Sequence, residues 1–580
     1  GLAEYERQPR ESAATSSHFE AVYDLRIDFA VGTETYRCIG AIKSFSRVRV
    51  APGSISHIVG GEPRECRLID LIGALEIEAD GKQRLLDELT QTVALSRWNR
   101  ENLGHRRASR RGLDFQALES AIVEGHQYHP CFKTRTGFSL RDHRDYGSEV
   151  GSEFQLHWVA VARRRLRIAL PVEEASFWKD ELGNGEYAKL SDVLRARGGS
   201  WDEYSLVPLH PWQFESIRPL GLDRAVEQGD VVVLGPAGDL YRATQSLRTL
   251  VNASRPEKAN VKLPLNIVCT SSHRNLEDHF VCTAPLLSRW LVSLVEQDAF
   301  LQERRHLLLL SEYAGILYEP EASPEAQGDE DAEEESPFEE LRGRLGTIFR
   351  ESVCGKLAPG EAAVPFTALT LIESDGRPFI ADWIDEHGVE RWVERLLEVM
   401  LVPIWHMLVH HGVAFEAHAQ NLILLHQGGW PTRIVLRDFH EDTEFVPDYL
   451  RAPEHAPRFE TVDPFFETIP DDDGYRMAST DALRELFMDC VYVYNLADVA
   501  FLIERFFGFE DEAFWRAVRR CLGAYERLGI TDKARIDRVA SDSPEIIVES
   551  LLKKKILDGG VLDYFEHPIR NTLVAEKGRG

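Results

Sequence analysis

Apolar positions along this chain recur with two periods. Residues 29–46 alternate closely enough to read as strands, whereas Leu85, Leu86, Leu89 and Val93 stand at helical spacing within residues 64–96. Residues 163–170 (RRRLRIAL) read as a strand that starts in a charged edge, and the basic run before them, residues 106–111, reads as a solvated loop. Leu209-His210-Pro211-Trp212-Gln213 reads as a structural corner. Residues 389–411 form a long helical pattern kinked at Pro403. His406 and His410 lie four apart on it; nothing nearby in the sequence completes a metal site, so they read as packing residues. Residues 482–507 and 512–528 predict amphipathic helices, and residues 548–558 (VESLLKKKILD) another. Lys553, Lys554 and Lys555 in its second half are either solvated or, for Lys555, within reach of a substrate carboxylate.

The densest polar pattern lies in residues 410–440. A loop carrying Glu416, His418, Gln420 and Asn421 precedes a short apolar strand, a Gly428-Gly429-Trp430-Pro431 turn and a second strand that ends in Arg437-Asp438-Phe439-His440. A hairpin returns on itself, so Asn421 and Asp438 meet although they are distant in sequence. An amide oxygen and a carboxylate suit Mg²⁺, a hard cation that takes oxygen ligands and keeps phosphate oxygens in its shell. Kinase-like phosphotransferases order a catalytic-loop Asn and a following Asp in the same way. The plain alternative is a polar loop beside an ordinary hairpin.

Two other segments gather cations and hydroxyls. Residues 124–147 hold His126, His129, Lys133 and Arg135 with Thr134, Thr136 and Ser139. His-x-x-His without a third ligand at zinc spacing, beside two cations, does not suit zinc. It suits an anion, or else a surface loop with a basic edge. Residues 241–275 offer Ser246, Arg248 and Thr249, then Lys262, Thr270 and Arg274, a pattern fit for a triphosphate or polycarboxylate cradle.

Composition narrows the partners. The 580 residues allow several subdomains, and a net charge of −28 at pH 7 argues against a nucleic-acid partner. That charge suits a cationic substrate such as a polyamine, but acidic surfaces mostly serve solubility. The eight scattered cysteines include no CxxC pair and read as reduced thiols of a cytoplasmic protein. The N-terminus is polar, without a signal-peptide pattern. The most apolar long run, residues 396–415, contains Glu398 and three histidines and reads as a buried helix, not a membrane span. Residues 319–340, acidic and rich in Pro, Ala and Ser, predict a flexible loop.

Together, Gly125-His126…His129-Pro130…Lys133, His210-Pro211-Trp212-Gln213, Ser246-x-Arg248-Thr249, Lys262…Thr270…Arg274, Glu416-Ala-His418-x-Gln420-Asn421 and Arg437-Asp438-Phe439 resemble the NRPS-independent siderophore synthetases, the aerobactin-synthetase family. The resemblance spans roughly residues 115–575. It departs near the end, where Asn571-Thr572-Leu573 stands in place of the family's Asn-Pro-Leu. It implies an α+β fold shaped like a cupped hand: a thumb (1–115), fingers that bind ATP (116–355) and a palm with kinase-like elements (356–580). It implies an ATP- and Mg²⁺-dependent ligase that adenylates a carboxylate, citrate or a derivative, then joins it to an amine or hydroxyl with release of AMP and pyrophosphate. The roles then sharpen. His126, His129, Lys133, Ser246, Arg248, Thr249, Lys262, Thr270, Gln420, Asn421 and Asp438 hold nucleotide and phosphates. Ser246, Thr249, Arg274, His418 and Lys555 hold the carboxylate substrate, with Arg274 and His418 stabilising charge in the reaction. Glu416, Asn421 and Asp438 hold the metal. A homodimer is implied as well. Two readings from other classes compete: a small-molecule kinase, which makes ADP, and a binding protein that keeps the pocket without turnover.

Overall fold

The computed structural model describes residues 5–9, 22–104, 110–126, 128–270, 272–320, 339–557 and 566–574. The acidic segment expected as a flexible loop lies outside them over residues 321–338. The fold is α+β, as expected. An N-terminal antiparallel sheet of six strands includes Leu25–Val31 and Glu34–Ile42, and the helix Ala79–Asn102 follows it.

An eight-stranded sheet fills the middle of the chain, in the order Tyr204–Leu209, Phe154–Ala162, Val231–Ala243, Thr249–Asn252, Asn260–Lys262, Gly346–Arg350, Glu312–Tyr318, Leu166–Ala169, with every pair antiparallel. Its central strands are short and buried on both faces, with polar residues at their ends. Those polar ends, Thr249 and Lys262 among them, form a wall of the site described below. Beside it, Leu265–Cys269 pairs with Ser272–Arg274 and Arg135–Thr136 in a smaller sheet.

The C-terminal part packs helices around a four-stranded sheet that contains the predicted hairpin. Leu422–Gln427 pairs with Trp430–Leu436, Leu422 opposite Leu436. Gly428 and Gly429 both take positive φ (55° and 81°), the backbone a two-residue hairpin turn requires. The helix Val389–His406 carries Pro403 and runs into a wider turn, Met407–His411; from Val399 on it is apolar nearly all round and buried accordingly. Gly412 (φ 84°) ends it where a Cβ would stand 2.6 Å from the Tyr449 carbonyl oxygen.

Several expectations change. Arg110 is not solvated: it is buried and bonded to Glu373 (2.8 Å) and Glu124 (2.8 Å). Residues 548–558 divide into the end of the strand Glu545–Glu549 and the helix Leu551–Leu557. The helix Thr480–Phe507 is long and apolar enough to cross a membrane, and 72% of its most apolar window is buried inside the fold. The altered Asn571-Thr572-Leu573 segment is a brace: Asn571 donates to the Ser541 and Ser543 carbonyls, and Thr572 accepts from the Phe45 amide in the turn Ser44–Ser46 that follows the strand Glu34–Ile42. His406 and His410 are packed as expected, but against Asp298 and His411.

Candidate active site

A cleft of about 770 Å³ opens where the eight-stranded sheet, the small sheet and the hairpin meet. Thirteen of the fifteen residues expected at the site line it: His126, His129, Ser246, Arg248, Thr249 and Lys262; Thr270 and Arg274; Glu416, His418, Gln420, Asn421 and Asp438. The exceptions are the lysines Lys133 and Lys555.

Both lysines are paired within the protein, and Lys133 borders a small cavity beside the cleft with His126, Ser246, Thr270 and Arg274. Lys133 is buried, and its ammonium is spent on Glu149 Oε1 (2.6 Å) and the Val123 carbonyl (2.9 Å). Lys555 is buried too, paired with Glu88 and donating to the Thr270 carbonyl (2.6 Å). Each braces a segment behind the cleft wall: Lys133 the His126 loop, Lys555 the Thr270 turn. A charge that has left water needs a partner, and here the protein supplies it.

The basic wall is held by strain and by backbone contacts. Thr270 and Asp438 adopt left-handed backbone (φ 60° and 64°), which costs non-glycine residues about 1–3 kcal/mol and concentrates at functional positions. Arg274 donates to the Cys269 carbonyl (3.1 Å) and Thr270 Oγ1 (3.0 Å), and among the described residues no carboxylate pairs with it. Thr249 is buried beside the cleft with its Oγ1 lacking a hydrogen-bond partner, the condition of a group that awaits a ligand. Arg248 reaches Glu441 (3.2 Å) and the Asn275 carbonyl.

The hairpin end is locked from below. Arg437 donates twice to the Gln420 carbonyl (2.8 and 3.0 Å) and pairs with Glu119 (2.9 Å). Glu312 accepts from the Phe439 and His440 amides and contacts His440 Nδ1 (2.9 Å). Burial would lower His440, but Glu312 and Glu441 outweigh it and raise it to about 9. Asp438 Oδ1 faces Arg350 (2.7 Å) and Lys262 (3.6 Å). Burial alone would raise its carboxyl; Arg350, Lys262 and Arg437 hold it well below the usual carboxylate range. The charge of Asp438 is thus balanced within the protein by Arg350 and Lys262.

His418 Nδ1 accepts from the Gln420 and Asn421 amides (3.1 and 3.3 Å). That contact fixes the tautomer: the proton sits on Nε2. Burial lowers its basicity, so the ring is neutral near pH 7 and offers the cleft one donor. His126 is similar, accepting from the Tyr128 amide (3.4 Å), with burial and then His129, His418 and Arg274 pulling it well down.

Facing the basic wall is an acidic one that sequence reasoning missed. It consists of Glu441, Asp442 and Glu444 after the hairpin, Asp489 on the helix side and Glu549 at a strand end, with Glu416 at the junction. The pairing of Val413–Phe415 with Thr443–Phe445 brings Glu416 beside Asp442. Burial and neighbouring carboxylates raise Glu416 to about 7, Asp442 well above its ordinary value, and Glu444 and Asp489 each to about 8. The signal was present: Glu441-Asp442-x-Glu444 lies just past Asp438, and Asp489 is the one acid in the apolar run 486–497. Asn421 spends its Nδ2 on the Glu416 carbonyl and carboxylate (3.0 and 3.4 Å), which leaves its Oδ1 available next to Glu416.

The fold and this cleft define a siderophore synthetase, a ligase of siderophore biosynthesis, once they are set beside known proteins. The IucA / IucC family profile matches residues 114–371, and one described as a ferric iron reductase FhuF-like transporter matches residues 390–558. A Staphylococcus aureus protein, 2-[(L-alanin-3-ylcarbamoyl)methyl]-3-(2-aminoethylcarbamoyl)-2-hydroxypropanoate synthase, is 31% identical over 466 residues, covering 79% of this chain and 73% of its own. The citryl-spermidine/3,4-dihydroxybenzoyl-citryl-spermidine:spermidine ligase of Bacillus anthracis is 29% identical, covering 90% and 84%. The crystal structure of the petrobactin biosynthesis protein AsbB from Bacillus anthracis superposes with a TM-score of 0.84 at 28% identity, covering 94% of this chain and 90% of that one. The chain belongs to the IucA / IucC family of NRPS-independent siderophore synthetases.

Proposed function

We propose that the protein is an ATP-dependent, AMP-forming ligase of the cytoplasm that adenylates a carboxylate, citrate or a citrate derivative, and condenses it with an amine. The observation that carries this reading is Arg274: a guanidinium on the wall of a large cleft, with no acidic partner among the described residues, beside the unpartnered Thr249 hydroxyl. A guanidinium left so costs free energy unless an anionic ligand completes it.

In this reading Ser246, Arg248, Thr249, Lys262 and Thr270 hold phosphate and carboxylate oxygens. A substrate carboxylate oxygen attacks the α-phosphorus of ATP; the bond to the β-phosphate breaks and pyrophosphate leaves. Arg274 and the Nε2–H of His418 stabilise charge as it develops. The amine nitrogen then attacks the acyl carbon and AMP departs with the bridging oxygen. Burial and nearby carboxylates raise Glu416 and Asp442 above their ordinary values, and the two fit Mg²⁺ together with Asn421 Oδ1. Mg²⁺ held there would supply charge neutralisation at the phosphates. Asp438 in turn orients Lys262 and Arg350.

The acidic wall supports a cationic amine as second substrate. Glu444, Asp489 and Glu549 lie on the cleft's far side, where a diamine or polyamine would be held and would draw Glu444 and Asp489 into their charged form. A relative whose name includes citryl-spermidine and spermidine accords with this.

Pyrophosphate release from ATP and Mg²⁺, with hydroxylamine as surrogate nucleophile and a panel of carboxylic acids, tests the reading. Hydroxamate from citrate or a citrate monoamide is expected. ADP with a phosphorylated product would replace it by the kinase reading, and nucleotide left intact throughout the panel would favour a binding protein.

A further inference from the structure

Away from the cleft, the side chains of Asp298, His406, His410 and His411 converge on one point. Asp298 caps the helix Ala299–Arg304: its Oδ1 accepts from the Leu301 amide (2.8 Å), which leaves Oδ2. Toward that Oδ2 point three histidine Nε2 atoms, of His406 and His411 at 3.1 Å each and of His410 at 3.8 Å. The four candidate donor atoms all lie within 4.8 Å of one another. Four ligands at zinc–nitrogen and zinc–oxygen bond lengths stand about 3.3 Å apart along the edges of a tetrahedron. Asp298 and the three histidines are nearly closed to solvent, their side chains 0–9% exposed, and none of them lines the cleft.

The widened turn Met407–His411 makes the convergence possible. On a regular helix His410 and His411 diverge by about 100°. The π-type turn allows both to face the same side as His406. Phe300 packs on the His406 ring (centroids 4.8 Å apart) and covers the cluster.

The second layer suits a metal site. His406 Nδ1 contacts Tyr525 Oη (2.7 Å), Tyr525 Oη contacts Thr531 Oγ1 (2.7 Å), and Thr531 Oγ1 contacts His410 Nδ1 (2.9 Å). Three contacts need three protons, and the two hydroxyls bring two. At least one histidine therefore carries its proton on Nδ1. In a neutral ring that leaves a bare Nε2 lone pair turned toward the Asp298 carboxylate, ready for a cation between them. With Nε2 of each histidine on a metal, both Nδ1–H groups donate outward and every contact in the chain is satisfied. Metal-bound histidines are oriented by such partners on their other nitrogen.

From this geometry we infer that Asp298, His406, His410 and His411 form a structural Zn²⁺ site. Three imidazoles and a carboxylate at tetrahedral spacing, closed to water, match the closed four-ligand coordination of structural zinc. The ion joins the start of the helix Ala299–Arg304 to the end of the helix Val389–His406, and His411 is five residues ahead of Glu416. It thus anchors the segment that delivers the Glu416–Asn421 loop to the cleft.

The test uses the full, untagged chain, stripped with a chelator and titrated with Zn²⁺ against a chromophoric competitor, then loaded with Co²⁺ for its visible spectrum. The expected result is about one tight Zn²⁺ per chain, a higher Tm on reloading, and the intense bands of tetrahedral Co²⁺. Asp298→Asn, which keeps the helix cap, and His411→Gln should each weaken Zn²⁺ by at least about tenfold and abolish the Tm rise. No tight binding by the folded wild type, or weak octahedral Co²⁺ bands, overturns the inference without recourse to any variant. So does Zn²⁺ binding that survives both substitutions but is lost in Glu416→Gln, since that would put the ion in the cleft.

Discussion

The two walls of the cleft carry opposite charge and keep it in opposite ways. On the basic side, Arg248 and Lys262 are already matched to Glu441 and Asp438, and Arg350 shares Asp438 with Lys262. Arg274 stands without such a match among the described residues. That wall is charged and rigid before any ligand arrives, as electrostatic preorganisation requires. On the acidic side, burial and nearby carboxylates raise Glu416 to about 7, Glu444 and Asp489 each to about 8, and Asp442 well above its ordinary value. That wall acquires full charge only when a cation joins it. The anion side is thus built in advance, and the cation side is completed by its ligands.

Removing the unmatched cation should have the largest effect. Arg274→Ala is expected to lower kcat by about 10² to 10³, by analogy with the loss of one preorganised donor at developing charge. Steady-state pyrophosphate release measures it; near-normal turnover would remove Arg274 from the chemistry. Next come the acids at the junction. Glu416→Gln and Asp442→Asn should each raise the Mg²⁺ concentration needed for half-maximal rate by about tenfold, with Asp438→Asn acting mainly through KM for ATP. Mg²⁺ titrations of the three variants separate these outcomes.

Lys133→Met sharpens the comparison from outside the cleft. It leaves Glu149 buried with Arg135 as its remaining cation, and breaking a buried pair costs about 3 kcal/mol or more. The expected readout is a lower Tm with kcat of the folded enzyme changed only a few-fold; a large loss of kcat at unchanged Tm would return Lys133 to the phosphates.

The smallest effect is that of pH. Glu416, Glu444 and Asp489 have folded values of about 7, 8 and 8, above the ordinary 4.5 or 3.8. The folded state therefore binds more protons than the unfolded one between those limits. These groups stabilise the ligand-free protein at low pH, and that contribution is lost as pH rises through about 8. Thermal melts from pH 6 to 8.5 should show Tm falling, with Mg²⁺ or a polyamine restoring it. Affinity for the amine should run the other way and weaken below about pH 7.

Most of the basic wall was legible because its residues sit in short motifs whose polar members break apolar strands: Ser246-x-Arg248-Thr249, Lys262, Thr270 and the Glu416–Asn421 loop. The hairpin was legible from its glycine turn. What the sequence hid was pairing across distance. Lys133 and Lys555 look like site lysines until Glu149 and Glu88 are seen beside them. Arg110 looks solvated until Glu373 closes on it. His406 and His410 look like packing residues because Asp298 lies more than a hundred positions away. The acidic wall was divided among three segments, and only the fold assembles it.

The central claim is that a substrate carboxylate attacks the α-phosphorus of ATP in this cleft. Turnover with carboxylate-¹⁸O citrate, or the citrate derivative that the acid panel selects, tests it directly by mass spectrometry of the nucleotide product. The account predicts about one ¹⁸O transferred into AMP per turnover, because AMP leaves with the bridging oxygen. Label absent from AMP, or found instead in inorganic phosphate beside ADP, would contradict it.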